Sequence, residues 1–218
     1  MQKIIFYIYH GVRTYPKEAT ELAVKFEKLA TEHYKNTDIE PIIINGTYGY
    51  IGWFANILPF TRYLLENKIK NDLYNLRKLV PDASKLVIVS FSYGTFLTSE
   101  VLKKNYFIVD AWILFGGVVH CAFNFNAVRS NICKILNFCS MNDKVAKYAP
   151  WLFDYGNCGA YGFRKNGLIK AITDTNFEEV AWEKNGAPWV INIHNNKEEH
   201  DSWFKHSEPI LEALKKIN

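Results

Sequence analysis

The chain reads as an α/β protein built on a mostly parallel sheet of about six strands flanked by helices. Three observations predict this. Short runs that are apolar on nearly every residue recur at Ile4 to Tyr9, Pro41 to Ile44, Leu86 to Val89, Val109 to Phe115, Lys134 to Cys139 and Trp189 to Ile193. Such runs mark strands buried on both faces, which is the habit of parallel sheets. Amphipathic stretches separate them. The composition, 49% hydrophobic and 22% charged over 218 residues, is that of a folded globular chain able to bury a core. Residues 1–218 read as one domain, with no internal repeat, low-complexity tract or linker.

The first run, Ile4 to Tyr9, is too short for a signal-peptide core and lacks a small-residue cleavage site, so it reads as a buried strand. Leu22, Phe26, Leu29 and Ala30 then recur at helical spacing. Tyr63, Leu64, Ile69, Leu73, Leu76 and Leu79 do so in a second helix, which Pro81-Asp82 closes. Lys85 opens the next strand and Thr95 to Lys104 the helix behind it. Residues 155 to 187, rich in glycine and asparagine, read as a long loop with a short helix near Phe177 to Trp182. The last strand leads into the polar loop Asn195 to Glu199 and a final helix with Trp203, Ile210, Leu211 and Leu214.

Composition also narrows the function. The net charge of +4 is modest and its basic residues are scattered, so nothing resembles a track for nucleic acid. Cys121, Cys133, Cys139 and Cys158 form no C-x-x-C pair, and reduced, packed thiols are expected, pointing to the cytoplasm. The six histidines lack H-E-x-x-H spacing, so no metal is expected. No apolar run approaches the ~18 residues needed to span a bilayer, leaving a soluble protein with at most a surface association with lipid.

Chemistry concentrates at Ser90-Phe91-Ser92-Tyr93-Gly94, which joins a strand-like run to a helix-like one. A serine on so sharp a turn has its hydroxyl pushed out at the sheet edge, and small flanking residues relieve the crowding. Gly94 meets that need, whereas Ser90 stands where glycine is usual. A serine hydroxyl needs a base, and the base an acid to fix its tautomer. Asp143 follows the strand ending at Cys139, after Ser140-Met141-Asn142, and His200 follows the last strand. Asp110 and Asp154 compete with Asp143. Asp110 opens a strand at the wrong edge of a parallel sheet, and Asp154 lies beyond the acid turn. His194, ending a strand, and His206, inside the helical pattern, compete with His200.

The order Ser92, Asp143, His200, each beyond its own strand, resembles that of the alpha/beta-hydrolase superfamily. The resemblance covers nearly the whole chain: His10-Gly11-Val12-Arg13, Ser90 to Thr95, Asn142-Asp143 and His200. More narrowly, His10 to Thr14, Tyr48-Gly49-Tyr50, Pro59 to Arg62, Ser92 to Thr95, Tyr155-Gly156-Asn157 and Gly162-Phe163 are similar to a poorly characterised bacterial branch. Some members of that branch are fused to signalling or defence domains. The resemblance implies a sheet of six parallel strands, without the first two of larger members, and the chain departs from the family in that the run after Phe115-Gly116-Gly117 is too short for a full cap domain. It also implies an oxyanion hole from the backbone N–H groups of Tyr93 and Val12. The activity implied is cleavage of a carboxylic ester, with a thioester or lipid ester as narrower forms, through an acyl-enzyme on Ser92 and without a cofactor.

Around that core, His10 reads as a prop for the oxyanion loop, beside Gly11. Arg13 reads either as a contact for a substrate anion or as a loop-fixing ion pair. The aromatic stretch from Tyr48 through Trp53 to Phe60 lines an acyl pocket, touches lipid, or packs on the sheet. The rival class is a non-catalytic module that keeps the fold to bind a ligand or signalling partner.

Overall fold

A computed structural model describes residues 2–11, 16–46, 58–79, 84–105, 107–152, 155–164, 176–203 and 205–217. Its strands are β1 (Gln2–Tyr9), β2 (Ile39–Asn45), β3 (Lys85–Phe91), β4 (Val109–Phe115), β5 (Ile132–Cys139), β6 (Asn176–Lys184) and β7 (Ala187–Asn195). They form one sheet in the order β2-β1-β3-β4-β5-β7-β6. The first six in that order pair in parallel; β6 alone is antiparallel, against β7.

All six apolar runs are strands, extended by a residue or more at one or both ends in most cases. The seventh, β6, corrects the expectation of a short helix near Phe177 to Trp182. Its physical cause is the turn that follows: Asn185 (φ 54°) and Gly186 (φ 77°) both adopt the left-handed region that a two-residue hairpin requires. The hairpin aligns Glu178 with Ile193 and Lys184 with Ala187, and irregular pairing around Trp182 blurs the period-two pattern.

The helices are α1 (Pro16–Tyr34), α2 (Pro59–Leu79), α3 (Tyr93–Lys104), α4 (Lys144–Leu152), α5 (Cys158–Tyr161) and α6 (Glu208–Lys216). Successive residues of a strand face opposite sides, so the sheet builds two cores. Ile4, Phe6, Ile8, Val87 and Val89 meet Phe26, Ala30 and Tyr34 of α1 and Ile210, Ala213 and Leu214 of α6. On the other side Ile5, Tyr7, Leu86 and Ile88 meet Leu65, Ile69, Leu73 and Leu76 of α2 and Phe96, Leu97 and Val101 of α3. Each fully buried aliphatic side chain contributes about 1.5–3 kcal/mol to this two-sided closure. Tyr63 and Leu64, read as part of the buried face of α2, point outward, because the helix turns its Leu65–Ile69–Leu73–Leu76 stripe to the sheet.

Between β4 and β5 the chain from Gly116 to Asn131 holds only a single 3-10 turn, Phe125–Ala127. No bulky insertion therefore rises over the carboxyl edge at that point. No described helix is long and apolar enough to cross a membrane.

Candidate active site

The parallel strands β3, β5 and β7 end at the same edge of the sheet, and each is followed by one of the residues singled out in the sequence. Ser92 is the single residue between β3 and α3. Its backbone sits at φ 51°, ψ −124°, a region that non-glycine residues rarely enter and that costs about 1–3 kcal/mol. Three contacts hold it there. Ser92 N–H donates to the Phe115 carbonyl of β4 (3.0 Å), and the Ser92 carbonyl accepts from both the N–H (2.9 Å) and the hydroxyl (2.6 Å) of Thr95. Gly94 lets the helix start close to the end of β1: a Cβ there would lie 2.7 Å from the His10 carbonyl oxygen. Ser90, the unusual neighbour, is fully buried and bonded, donating to Thr98 Oγ1 (3.1 Å) and accepting from Trp112 Nε1 (3.2 Å).

Asp143 is completely buried after β5 and opens the turn into α4. One carboxylate oxygen, Oδ1, accepts the Ala146 N–H (2.8 Å) and the other, Oδ2, accepts Trp203 Nε1 (3.2 Å). His200 heads a 3-10 turn, His200–Ser202, beyond β7. Its Nδ1 lies 2.9 Å from both oxygens of Asp143, and its Nε2 lies 2.8 Å from Ser92 Oγ. A carboxylate only accepts, so Nδ1 carries the proton and Nε2 presents its lone pair to the serine hydroxyl. The Phe91 ring packs on the imidazole at 4.9 Å between centroids.

Room for this relay comes from Gly116 at the end of β4. Its φ is 53°, and a Cβ would stand 2.8 Å from Asp143 Oδ2 and 3.1 Å from His200 Nδ1. Gly116→Ala is therefore expected to push the acid and the imidazole apart. Turnover should fall at least tenfold and stability by about 1–3 kcal/mol from backbone strain. Parallel kinetics and thermal denaturation check this, and a parental rate would mean that the imidazole yields without cost.

The sheet order, the strained serine at a strand-to-helix turn and the sequence order serine, aspartate, histidine occur together in one architecture. The fold is an alpha/beta-hydrolase fold. No protein-family model matches the chain, and no curated protein matches it in sequence. Solved structures similar to it include the alpha/beta hydrolase domain-containing protein 10 from mouse, at 12% identity and TM-score 0.49, over 99% of this chain and 87% of that one. A cutinase-like protein from Cryptococcus sp. is similar at 8% identity and TM-score 0.44, over 99% of this chain and 92% of that one. The phospholipase PlaB from Legionella pneumophila is similar at 11% identity and TM-score 0.37, over 71% of this chain and 29% of that one.

On this hydrolase fold the remaining candidates separate. His10 is buried, with Nδ1 2.8 Å from the Gly11 carbonyl, and burial lowers its pKa from the ordinary histidine value. Gly11 packs on Ser92: a Cβ there would be 2.8 Å from Ser92 Cβ. Tyr93 opens α3, where first-turn N–H groups have no acceptor within the helix. Val12, Arg13, Tyr48 and Trp53 lie outside the described residues, as does Asp154. Asp110 is occupied elsewhere, accepting Leu86 N–H (2.7 Å) beside Arg77. His206 stands in the bend before α6, not within a helix, and its Nδ1 faces Glu198 Oε1 (2.9 Å).

His194 is buried in β7, its Nδ1 3.3 Å from Cys139 Sγ and its Nε2 3.7 Å from Glu179. Desolvation, reinforced by the Arg164 guanidinium and opposed by Glu179, lowers its pKa to about 4. The unfolded chain then takes up a proton near pH 6.5 that the folded chain refuses until about pH 4. Stability should accordingly fall as pH drops through that window, and His194→Gln should flatten the slope. Denaturant melts at several pH values test this; an unchanged slope in the variant would exonerate His194.

The cysteines are free. Cys121, Cys139 and Cys158 are buried, and desolvation raises their thiol pKa values, that of Cys121 to about 11. Cys133 departs from the expectation of packed thiols, because its side chain leaves the exposed start of β5. Among the described residues no group of three or more histidine, cysteine or acidic side chains could hold a metal ion.

Sequence reasoning missed Trp203 and Gly116. Trp203 passed for part of the last helix's apolar face, although a buried indole N–H calls for an acceptor. Gly116-Gly117 at a strand end was the available signal for close approach.

Proposed function

We propose that the chain is a serine hydrolase that cleaves a carboxylic ester through an acyl-enzyme on Ser92, with His200 as general base and Asp143 as its orienting acid. The supporting observation is the unbroken relay from Asp143 through His200 to Ser92 Oγ, at 2.9 and 2.8 Å. Both links are within hydrogen-bond reach, which proton transfer requires.

In the reaction, Ser92 Oγ attacks the ester carbonyl carbon while its proton passes to His200 Nε2. The imidazolium that forms is stabilised by Asp143 through Nδ1–H. Negative charge gathers on the former carbonyl oxygen, which the Tyr93 N–H at the α3 N-terminus meets, joined by Val12 N–H in the resemblance-based assignment. Collapse breaks the bond to the alcohol, which leaves with the proton from Nε2. A water molecule, deprotonated by the same nitrogen, then attacks the acyl-enzyme, and collapse returns the proton to Ser92 as the acid is released.

Lipid esters are the favoured narrower class. Phe60 (71% exposed) and Tyr63, in the first two turns of α2 where that helix starts at the carboxyl edge, leave large apolar side chains uncovered. A fluorophosphonate probe tests the reading. It should attach to Ser92, identified by peptide mass, and turnover should rise with acyl length; a parent protein that neither labels nor hydrolyses esters would be a binding module instead.

A further inference from the structure

A second buried carboxylate lies two residues before the base. Glu198 is 3% exposed, and a carboxylate so withdrawn from water is costly unless donors surround it. Among the described residues its side-chain donors are Ser202, in the turn that carries His200, and His206, in the bend that follows. Ser202 Oγ donates to Oε2, and His206 Nδ1 lies 2.9 and 3.1 Å from the two oxygens. Ser202 Oγ in turn accepts the Glu199 N–H at 2.7 Å. Glu198 and Ser202 flank His200 symmetrically in sequence, so the bond between them closes a ring around the base's own backbone.

The main chain of the same residue reaches the other half of the relay. Its carbonyl accepts from Ser140 Oγ (2.5 Å), and the Ser140 carbonyl accepts the Asp143 N–H (3.0 Å). Asn196 adds a parallel tie: its Oδ1 accepts the Met141 N–H (2.9 Å), and its carbonyl accepts from Asn142 Nδ2. The acid turn and the base turn are therefore clasped, with Glu198 bonded to both. Loop-borne side chains wander, and a misplacement of ~1 Å costs a catalytic group about 100-fold.

We propose that Glu198 is a positioning residue: its carboxylate, held by Ser202 and His206, fixes the conformation of the His200 turn, whose main chain at residue 198 is tied to the Asp143 turn through Ser140, so that Nε2 meets the nucleophile. The inference rests on the hydrolase reading for its kinetic consequence, but its geometric core does not. His206, set aside as a base, is the donor that keeps this carboxylate in place.

Glu198→Gln keeps the shape and removes the charge. Its kcat, normalised to probe-titrated sites, should fall roughly 10- to 100-fold with KM within about twofold. The pH midpoint of kcat/KM should move, and the low-field proton resonance of the His200 Nδ1–H should shift or broaden. His206→Asn, whose amide nitrogen replaces Nδ1, should stay close to the parent; His206→Ala should follow Glu198→Gln. A Glu198→Gln protein with lowered melting temperature but parental kcat, pH midpoint and resonance would overturn the proposal. Should that variant not fold, a parental rate and resonance in His206→Ala would do the same. A parent that shows no turnover and no labelling removes the hydrolase reading alone, because the resonance still reports whether Glu198 holds the imidazole.

Discussion

Ser92→Ala is expected to abolish probe labelling and to lower ester turnover by roughly 10³- to 10⁶-fold, the range seen when one member of such a unit is removed. The fold should survive intact. Alanine carries the same backbone penalty at φ 51° as serine, and the three bonds that hold the turn come from main-chain atoms of residue 92, so none is lost. What disappears is the proposed attacking atom, the hydroxyl oxygen 2.8 Å from His200 Nε2. Thermal denaturation separates this from unfolding. Labelling or turnover that persists with an unchanged melting temperature would move the nucleophile to another side chain.

Asp143→Asn should cost about 10⁴-fold in turnover. The charged and neutral side chains have the same shape, yet the carboxylate accepts on both oxygens: Ala146 N–H and His200 Nδ1 meet Oδ1, while Trp203 Nε1 and the same imidazole nitrogen meet Oδ2. An amide has one acceptor and one donor head. Whichever way it turns, its NH2 confronts either the backbone N–H or the indole N–H. It also invites His200 to flip tautomer, pointing Nε2–H at the serine and withdrawing the lone pair that takes its proton. The variant should therefore melt lower than the parent as well as turn over slowly. A near-parental rate in Asp143→Asn, with loss in Asp154→Asn, would transfer the role.

The α/β layering was legible because parallel strands buried on both faces leave an unambiguous mark, as Leu86 to Val89 and Val109 to Phe115 illustrate. Ser92, Asp143 and His200 stood out for a related reason: each follows a strand of that kind, and a strand end fixes which sheet edge a residue occupies. The β6 hairpin was not read, because Glu178, Glu179 and Glu183 mask its period and its pairing is irregular, although Asn185-Gly186 announced the turn. Trp203 and Glu198 escaped notice for another reason. Their significance lies in bonds to residues 60 and four to eight positions away, which depend on how a loop folds back, and pattern along the chain carries no such information.

The bond between His200 and Ser92 spans 108 positions of sequence, and that between His200 and Asp143 spans 57. Neither forms until β3, β4, β5 and β7 have assembled side by side in that order. Long loops must close before such contacts stabilise anything, which makes them late events on a folding pathway. Collapsed chains with native helices but an unfinished sheet would hold a serine no more reactive than any other. Probe labelling of Ser92 during refolding should accordingly lag behind the recovery of helical circular dichroism, so that reactivity times the completion of the sheet.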